Sequence, residues 1–531
     1  MTMERKHFLT LGAGLTVGGL LGKSALQSET TDGKNQSLSN QKFDLKNPFP
    51  DLENPFPIAP NDSENQPEQD GPYWDFIRTL FPLNPNLTFL NNGTMGITPY
   101  PVLEALNKSF HHIAENAAYP MHDGSFEENL AKILGCKGSE LAITKNVSEG
   151  VNLACRAINL KKGDEVIITL HEHVGGCAAW LYRAKTEGIV LKLAALGATA
   201  EETLKNIQAV KTKNTKVIAV PHIPCTIGQV LPVNEICAWA RANGIISAID
   251  GAHPLGMLQM NLKEMGCDYY SGCFHKWLLG PIGTGFFYAS EEILSRSAIH
   301  HVAAYSVDKF DMSTTPPSLG ELVNKTARYS YGTFPGPMYD GAKAALQFYQ
   351  KIGPALIEKR VKFLSKEVMN GLYAINDNPK LKFPILDGSQ TQNGSAETSN
   401  VKTPIAWKMH HSHGPVIEVL TPEEEASRGA QVGFRIHEHP SKTAASNAQA
   451  TKEGTPIANA ESSAPLTPGT STPQASQRFC DFARKNNVIL RYVAENNIHC
   501  VRVSTHYYNN KKDINRFFEV LDMFLKEEGW L

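Results

Sequence analysis

The sequence predicts an α/β protein, with a large domain built on a mostly parallel sheet between helices and a smaller α/β C-terminal domain. Three observations carry this expectation. Short apolar runs recur roughly every 25 residues through the middle of the chain, the spacing of strands that alternate with helices. The segments between them read as helices, such as Val233–Asn243, which stops at Gly244. Polar, proline-rich stretches precede and follow this region instead of interrupting it.

In chain order, residues 1–26 come first. Glu4-Arg5-Lys6-His7-Phe8-Leu9 precedes a short, glycine-rich, weakly apolar stretch from Leu11 to Gly22, the pattern of an export signal. It resembles a bacterial twin-arginine signal with Lys6 in place of the second arginine, and so points to the bacterial periplasm. Ser24-Ala25-Leu26 is a poor cleavage site, which leaves retention as an uncleaved anchor open. Residues 27–72 are rich in Asn, Asp, Ser, Gln and Pro and repeat Asn47-Pro48-Phe49-Pro50 as Asn54-Pro55-Phe56-Pro57. That composition cannot build a core and reads as a disordered tether. The large domain with an N-terminal arm is expected over 73–330 and the small domain over 331–531. Disordered surface insertions are expected at about 387–400 and 440–476.

Within the large domain, strands are expected at Glu140–Thr144, Glu165–Thr169, Ile189–Leu193, Lys216–Val220, Ile245–Ile249, Tyr269–Cys273 and Gly285–Tyr288. After the first of these, Lys145-Asn146-Val147-Ser148-Glu149-Gly150 opens a helix that runs through Val151–Ile158. A helix N-terminus offers free N–H groups and a positive dipole end, and Ser148 adds a hydroxyl; the same residues would equally serve as a simple N-cap. Two later strands end in chemistry. Ala248-Ile249-Asp250-Gly251-Ala252-His253 places a carboxylate at one strand end. Ser271-Gly272-Cys273-Phe274-His275-Lys276-Trp277, followed by Gly280-Pro281-Ile282-Gly283-Thr284-Gly285, places a lysine on a glycine-rich loop after the next. In parallel sheets ligands bind beyond the carboxyl ends of the strands, where both residues fall. This pair is what pyridoxal 5'-phosphate needs: an amine to form a Schiff base with the aldehyde, and a carboxylate to keep the pyridine nitrogen protonated.

Taken together the motifs resemble the aminotransferase class V family, fold-type I enzymes dependent on pyridoxal phosphate. Leu90-Asn91-Asn92-Gly93-Thr94-Met95-Gly96 with Pro99 and Pro101 looks like the family's opening motif. Glu172-His173, followed by Trp180, looks like its ring-stacking segment. The resemblance covers 87–345 and resumes over about 403–437 and 477–531. It implies that Lys276 is the Schiff-base lysine and general base at the substrate Cα, that Asp250 pairs with the pyridinium nitrogen, and that His253 lies near the phenolic oxygen. By the same resemblance His173 stacks on the ring, while Val147, Ser148 and His275 hold the phosphate. Gly332-Thr333 matches the motif that reaches the phosphate of a neighbouring subunit, implying a homodimer with shared sites. Arg502, in Cys500-Val501-Arg502-Val503-Ser504, looks like the carboxylate-binding arginine; Arg491 is a second candidate contact and Asn92 a third. Two positions depart from the family pattern: Cys273 stands where a serine is common, and Cys225 where asparagine is frequent. Trp277, His253 and Ser427-Arg428-Gly429-Ala430-Gln431 look closest to the isopenicillin N epimerase and kynureninase branches.

Composition sets the outer bounds. The 531 residues are 41% hydrophobic and 20% charged with a net charge of −2, which gives no sign of a nucleic-acid partner. No apolar run is long enough for a conventional membrane span. The nine cysteines include no C-x-x-C pair, and Cys155, Cys237 and Cys267 fall within apolar or helical patterns. No cysteine follows Arg491 until Cys500, which disfavours a persulfide-forming desulfurase. His171 and His173 form an H-x-H pair without a third ligand at suitable spacing, and His410, His411 and His413 read as polar loop histidines, so no metal is expected. The resemblance implies chemistry at Cα of an amino acid, by transamination or epimerisation. A C–S lyase and a pyridoxal phosphate-binding protein with little turnover remain as alternatives. For the export signal, residues 1–40 fused to a reporter should carry it out of the cytoplasm; a reporter found only inside would refute the signal.

Overall fold

The computed structural model describes residues 68–120, 122–299, 301–303, 306–330, 332–377, 416–439 and 475–531. The export signal, nearly all of the tether, the insertion at 387–400, most of the one at 440–476, and His410, His411 and His413 lie outside the described residues.

The large sheet has seven strands. After a two-residue strand β1 (Thr88–Phe89), they are β2 (Leu141–Thr144), β3 (Glu165–Thr169), β4 (Val190–Ala194), β5 (Thr215–Pro221), β6 (Ile246–Gly251), β7 (Tyr269–Cys273) and β8 (Gly285–Ala289). Their spatial order is β2-β8-β7-β6-β5-β3-β4, and only β8 runs against its neighbours. All seven lie within a residue or two of the sequence-derived strands.

The reason is the apolar pattern. β3, β7 and β8 are buried at every position, as strands covered by helices on both faces must be. Successive residues serve opposite faces: Ile167, Ile218 and Ile249 join one core, while Val166, Ile168, Val217 and Ala248 join another. β4 is the edge strand; Leu193 is exposed on it, and Lys192 keeps the edge charged.

The smaller sheet is antiparallel throughout. Beyond a hairpin of β9 (Phe310–Asp311) and β10 (Ser318–Leu319), it contains β11 (Ile417–Val419), β12 (Gln431–Ile436), β14 (Arg491–Val493) and β15 (Cys500–Ser504), in the order β11-β12-β15-β14. It packs on the helices Ala475–Lys485 and Lys511–Glu528 around Phe434, Phe479 and Phe517. This second core is built almost wholly from Leu364 onward, with Leu90 added from the N-terminal arm.

The arm is the element that periodicity did not reveal. β1 pairs in parallel with β13 (Val488–Ile489), Thr88 opposite Val488, and Asn91 bridges to Ser504 at the end of β15. The opening motif is thereby laid against the small sheet. It is also pinned to the lysine loop, because the Gly96 N–H donates to the His275 carbonyl at 2.9 Å.

Candidate functional site

The site lies at the carboxyl ends of β2, β6 and β7, where sheet topology predicts it. Beyond β2, the helix Val147–Ala157 is capped by Asn146, whose side chain accepts from the Glu149 N–H at 3.0 Å. Asn146 therefore fills the capping role that the sequence left open for Ser148. Ser148 sits in the first turn with its hydroxyl against Gly175; a Cβ on that glycine would lie 2.5 Å from the Ser148 Oγ. The Val147 N–H is one of the helix's unpaired terminal donors.

Asp250 ends β6 as a largely buried carboxylate, its Oδ1 accepting from the Ala252 N–H at 3.0 Å. Burial raises its pKa and the Lys276 ammonium opposes that rise. Gly176 keeps the space before it open, since a Cβ there would come within 2.6 Å of Asp250 Oδ2. Lys276 follows β7 on the predicted loop, and its Nζ lies 3.4 Å from His253 Nε2. The His253 ring is 1% exposed, and its Nδ1 takes two partners, Trp277 Nε1 at 3.0 Å and Gln431 Nε2 at 2.9 Å. Burial first, and the Lys276 charge second, hold its pKa well below the usual histidine value.

His173 is the N-cap of the helix Val174–Glu187, its Nδ1 accepting from the Gly175 N–H at 3.0 Å with the ring left exposed. His275 has a buried Nδ1 without a protein partner, and burial brings its pKa down to about 4. Cys273 donates its thiol to the Ala252 carbonyl at 3.4 Å, and burial pushes its pKa up to about 11. It is a neutral filler at the position where a serine is common.

Arg502 is the group most out of balance. Its side chain is fully buried on β15, yet no carboxylate pairs with it among the described residues. It donates to the Cys225 carbonyl at 2.7 Å, Asn91 Oδ1 at 3.1 Å and Thr94 Oγ1 at 3.0 Å, and its Nε has no partner. Burial and the neighbouring Arg491 lower its pKa to about 10. A buried guanidinium held only by neutral acceptors is poised for an anion. Gly93 permits the packing around it, because a Cβ there would meet Gln431 Nε2 at 2.3 Å and the guanidinium carbon at 2.9 Å.

Arg491 and Asn92 occupy other roles than the sequence reading gave them. Arg491 lies opposite Arg502 across β14 and β15 but is ion-paired with Glu495. Asn92 has both ends of its amide committed, donating to the Ser504 carbonyl at 3.1 Å and accepting from the Tyr508 hydroxyl. It is the adjacent Asn91 that reaches the arginine. Gly332 and Thr333 stand exposed on this chain. His171 and His173 do not converge: His171 Nδ1 bonds to Thr226 Oγ1 at 2.9 Å, and no metal-holding group of three occurs among the described residues.

Asn91, Thr94 and Gln431 went unassigned at the sequence level, since polar residues 178 to 411 positions from their partners leave no periodic signal. Glu172 was read only as part of a motif. It is buried behind the site, accepting from Thr169 N–H at 3.0 Å and Thr169 Oγ1 at 2.8 Å. Burial, and then repulsion by Asp250, push its carboxyl up to about 8.

The residues fit a pyridoxal phosphate: a helix N-terminus with Ser148 and an orphaned His275 nitrogen for its phosphate, Asp250 for its ring nitrogen and Lys276 for its aldehyde. The comparisons agree with the geometry. Residues 91–389 match the aminotransferase class-V family profile. The chain is 26% identical to isopenicillin N epimerase of Streptomyces clavuligerus over 396 residues, covering 67% of this chain and 96% of that one. It is 27% identical to a probable cysteine desulfurase of Pyrococcus abyssi over 311 residues, 56% of this chain and 75% of that one. Among solved structures, the cysteine desulfurase CsdA of Escherichia coli superposes with a TM-score of 0.63 at 15% identity, over 86% of this chain and 98% of that one. A complex of the cystine C–S lyase C-DES with cysteine persulfide gives 0.62 at 21% identity, over 82% and 98%. At these identities the superpositions establish the fold.

Glu172 yields a pH test on the cofactor-free protein. Its folded pKa of about 8 exceeds the ordinary value of 4.5, so its stabilising share is full below 4.5 and lost as pH rises through 8. Glu172→Gln should therefore gain on the parent steadily over that interval, by on the order of a few kcal/mol, with other titrations cancelling in the difference. Urea unfolding of both proteins at several pH values measures the gap; a constant gap would contradict the raised pKa.

Proposed function

The chain belongs to the aminotransferase class V family and is a pyridoxal phosphate-dependent enzyme, and within that family we propose that it removes a proton from Cα of a carboxylate-bearing amino acid, by transamination or epimerisation. The observation that carries the reading is Arg502: a fully buried cation whose partners among the described residues are all neutral. A substrate carboxylate would supply the missing anion, and the planar guanidinium would fix its orientation. Lys276 then serves as the amine that anchors the cofactor and takes the Cα proton. His253 holds that amine's surroundings neutral, while Asp250 keeps the ring nitrogen protonated so that the cofactor withdraws electrons. Val147, Ser148 and His275 would hold the phosphate and His173 would cover the ring.

The cysteines favour this over a desulfurase that carries sulfur on a protein thiol. The candidate near the arginine, Cys500, is fully buried with its thiol turned to the Thr226 carbonyl at 3.7 Å. A direct C–S lyase needs no such thiol and is the second reading; product analysis with cysteine and cystine separates the two. Turnover with a panel of amino acids separates either from a binding protein.

We propose also that the chain is exported through its N-terminal segment and works as a homodimer, with the exposed Gly332-Thr333 reaching the partner's phosphate site. Sedimentation of the cofactor-loaded protein should give the mass of two 58.3 kDa chains; a loaded monomer would remove the shared-site reading. For the chemistry, borohydride should bleach the visible band and leave reduced pyridoxyl phosphate on Lys276. Lys276→Ala should lose covalent attachment and roughly 10²–10⁴-fold in turnover, and near-normal turnover in that variant would overturn the mechanism.

A further inference from the structure

His253 is held in a way that neither its sequence motif nor the family match explains. A neutral imidazole has one N–H and one lone pair, and which nitrogen carries which is set by its partners. Here the partners on Nδ1 leave no choice. The Trp277 indole nitrogen can only donate, and it stands 3.0 Å from Nδ1, so Nδ1 presents its lone pair. The Gln431 amide faces the same nitrogen from the small domain at 2.9 Å. Its oxygen would meet that lone pair with repulsion, so its NH₂ end is the one that fits. With two donors gathered on Nδ1, the ring hydrogen belongs on Nε2, the nitrogen 3.4 Å from Lys276 Nζ.

We propose that Trp277 and Gln431 are positioning residues that act through His253, locking it as the neutral Nε2–H tautomer so that a single fixed donor faces the cofactor bound at Lys276. This deepens the proposed function and rests on it. Trp277 is itself fixed: its ring stacks on His506 with centroids 5.4 Å apart at 18°, and His506 Nε2 lies 3.0 Å from the Trp277 carbonyl. His506 Nδ1 accepts from the Tyr507 N–H at 2.9 Å, so the His506 hydrogen is on Nε2 as well. Gln431 stands on β12 opposite Ser504, two residues beyond Arg502 on β15, and its Nε2 approaches the same glycine, Gly93, as the guanidinium does. The strand that carries the carboxylate-binding candidate is thus paired to the strand that sets the tautomer at the lysine. Burial at 1% exposure keeps water from offering the ring another partner.

The test uses full-length protein labelled with ¹⁵N-histidine and loaded with cofactor, so that Lys276 is held as a Schiff base and no ammonium faces Nε2. Long-range ¹H–¹⁵N spectra, with His253 assigned from the missing signals of His253→Gln, should show the Nε2–H pattern unchanged through neutral pH. Trp277→Phe and Gln431→Leu each leave one donor and should keep the tautomer. The double variant should release it to a mixture or to Nδ1–H. Gln431→Glu, which puts an acceptor on Nδ1, should draw the hydrogen there, and serves if the double variant does not fold. In the loaded enzyme the double variant and Gln431→Glu should lose roughly two- to tenfold in turnover, the scale of one hydrogen bond, and shift the pH at which the cofactor's visible band changes, while each single variant, which keeps the tautomer, should stay near the parent in both. A purely packing role would alter stability and leave spectra and tautomer alone. An Nδ1–H pattern in the parent protein, or an unchanged Nε2–H pattern in both the double variant and Gln431→Glu, overturns the proposal while leaving the proposed function standing. Failure of the parent to take up pyridoxal phosphate overturns the proposed function, and with it this role.

Discussion

One buried cation ties the molecule together. Arg502 sits on a strand of the small sheet, donates to a carbonyl of the large domain at Cys225, and donates to Asn91 and Thr94 of the N-terminal arm. Three parts of the chain that are hundreds of residues apart meet on one guanidinium. Burying a charge without a counter-charge is unfavourable, and neutral acceptors compensate only in part. The fold tolerates this because the surrounding cores are extensive; on the proposed function, a substrate carboxylate would make good the deficit. Such an arrangement stores affinity for a carboxylate where an ordinary salt bridge would have used it up.

The remaining site geometry follows from how a parallel sheet ends. Every strand from β3 to β7 points the same way, so the loops that follow them converge on one edge. Asp250 and Lys276 come from neighbouring strands, and Val147 and Ser148 come from a helix that starts at the same edge. Glycines hold this edge open: at Gly93 and Gly176 even one methyl group would collide with Gln431, Arg502 or Asp250. Neutrality is maintained alongside. His253, His275 and Glu172 are all shifted toward their uncharged forms by burial, and burial pushes Asp250 and Arg502 the same way.

The comparison of sequence with structure is sharpest where the two differ. Asn92 and Arg491 were expected at the substrate and are instead spoken for, one by Ser504 and Tyr508, the other by Glu495. Asn91, one residue away, accepts from Arg502 instead. A motif fixes which short segment approaches the site. Which of two adjacent amides points inward depends on the parallel pairing of β1 with β13, and that pairing joins residues about 400 positions apart, as in Thr88 with Val488.

What the sequence by itself determined was the alternation of strands and helices, the sheet edge on which Asp250 and Lys276 fall, and the short motifs that carry these two residues and Arg502. Each is legible because it depends on local periodicity or on residue types next to each other in the chain. Only the tertiary structure decided that Arg502 lacks a counter-ion, that Asn146 and not Ser148 caps the helix at the phosphate end, and that Trp277 and Gln431 share one nitrogen of His253. Those facts are relations between side chains distant in sequence or fixed by backbone angles. A polar residue's partner is set by where the chain returns in space, which no local pattern records.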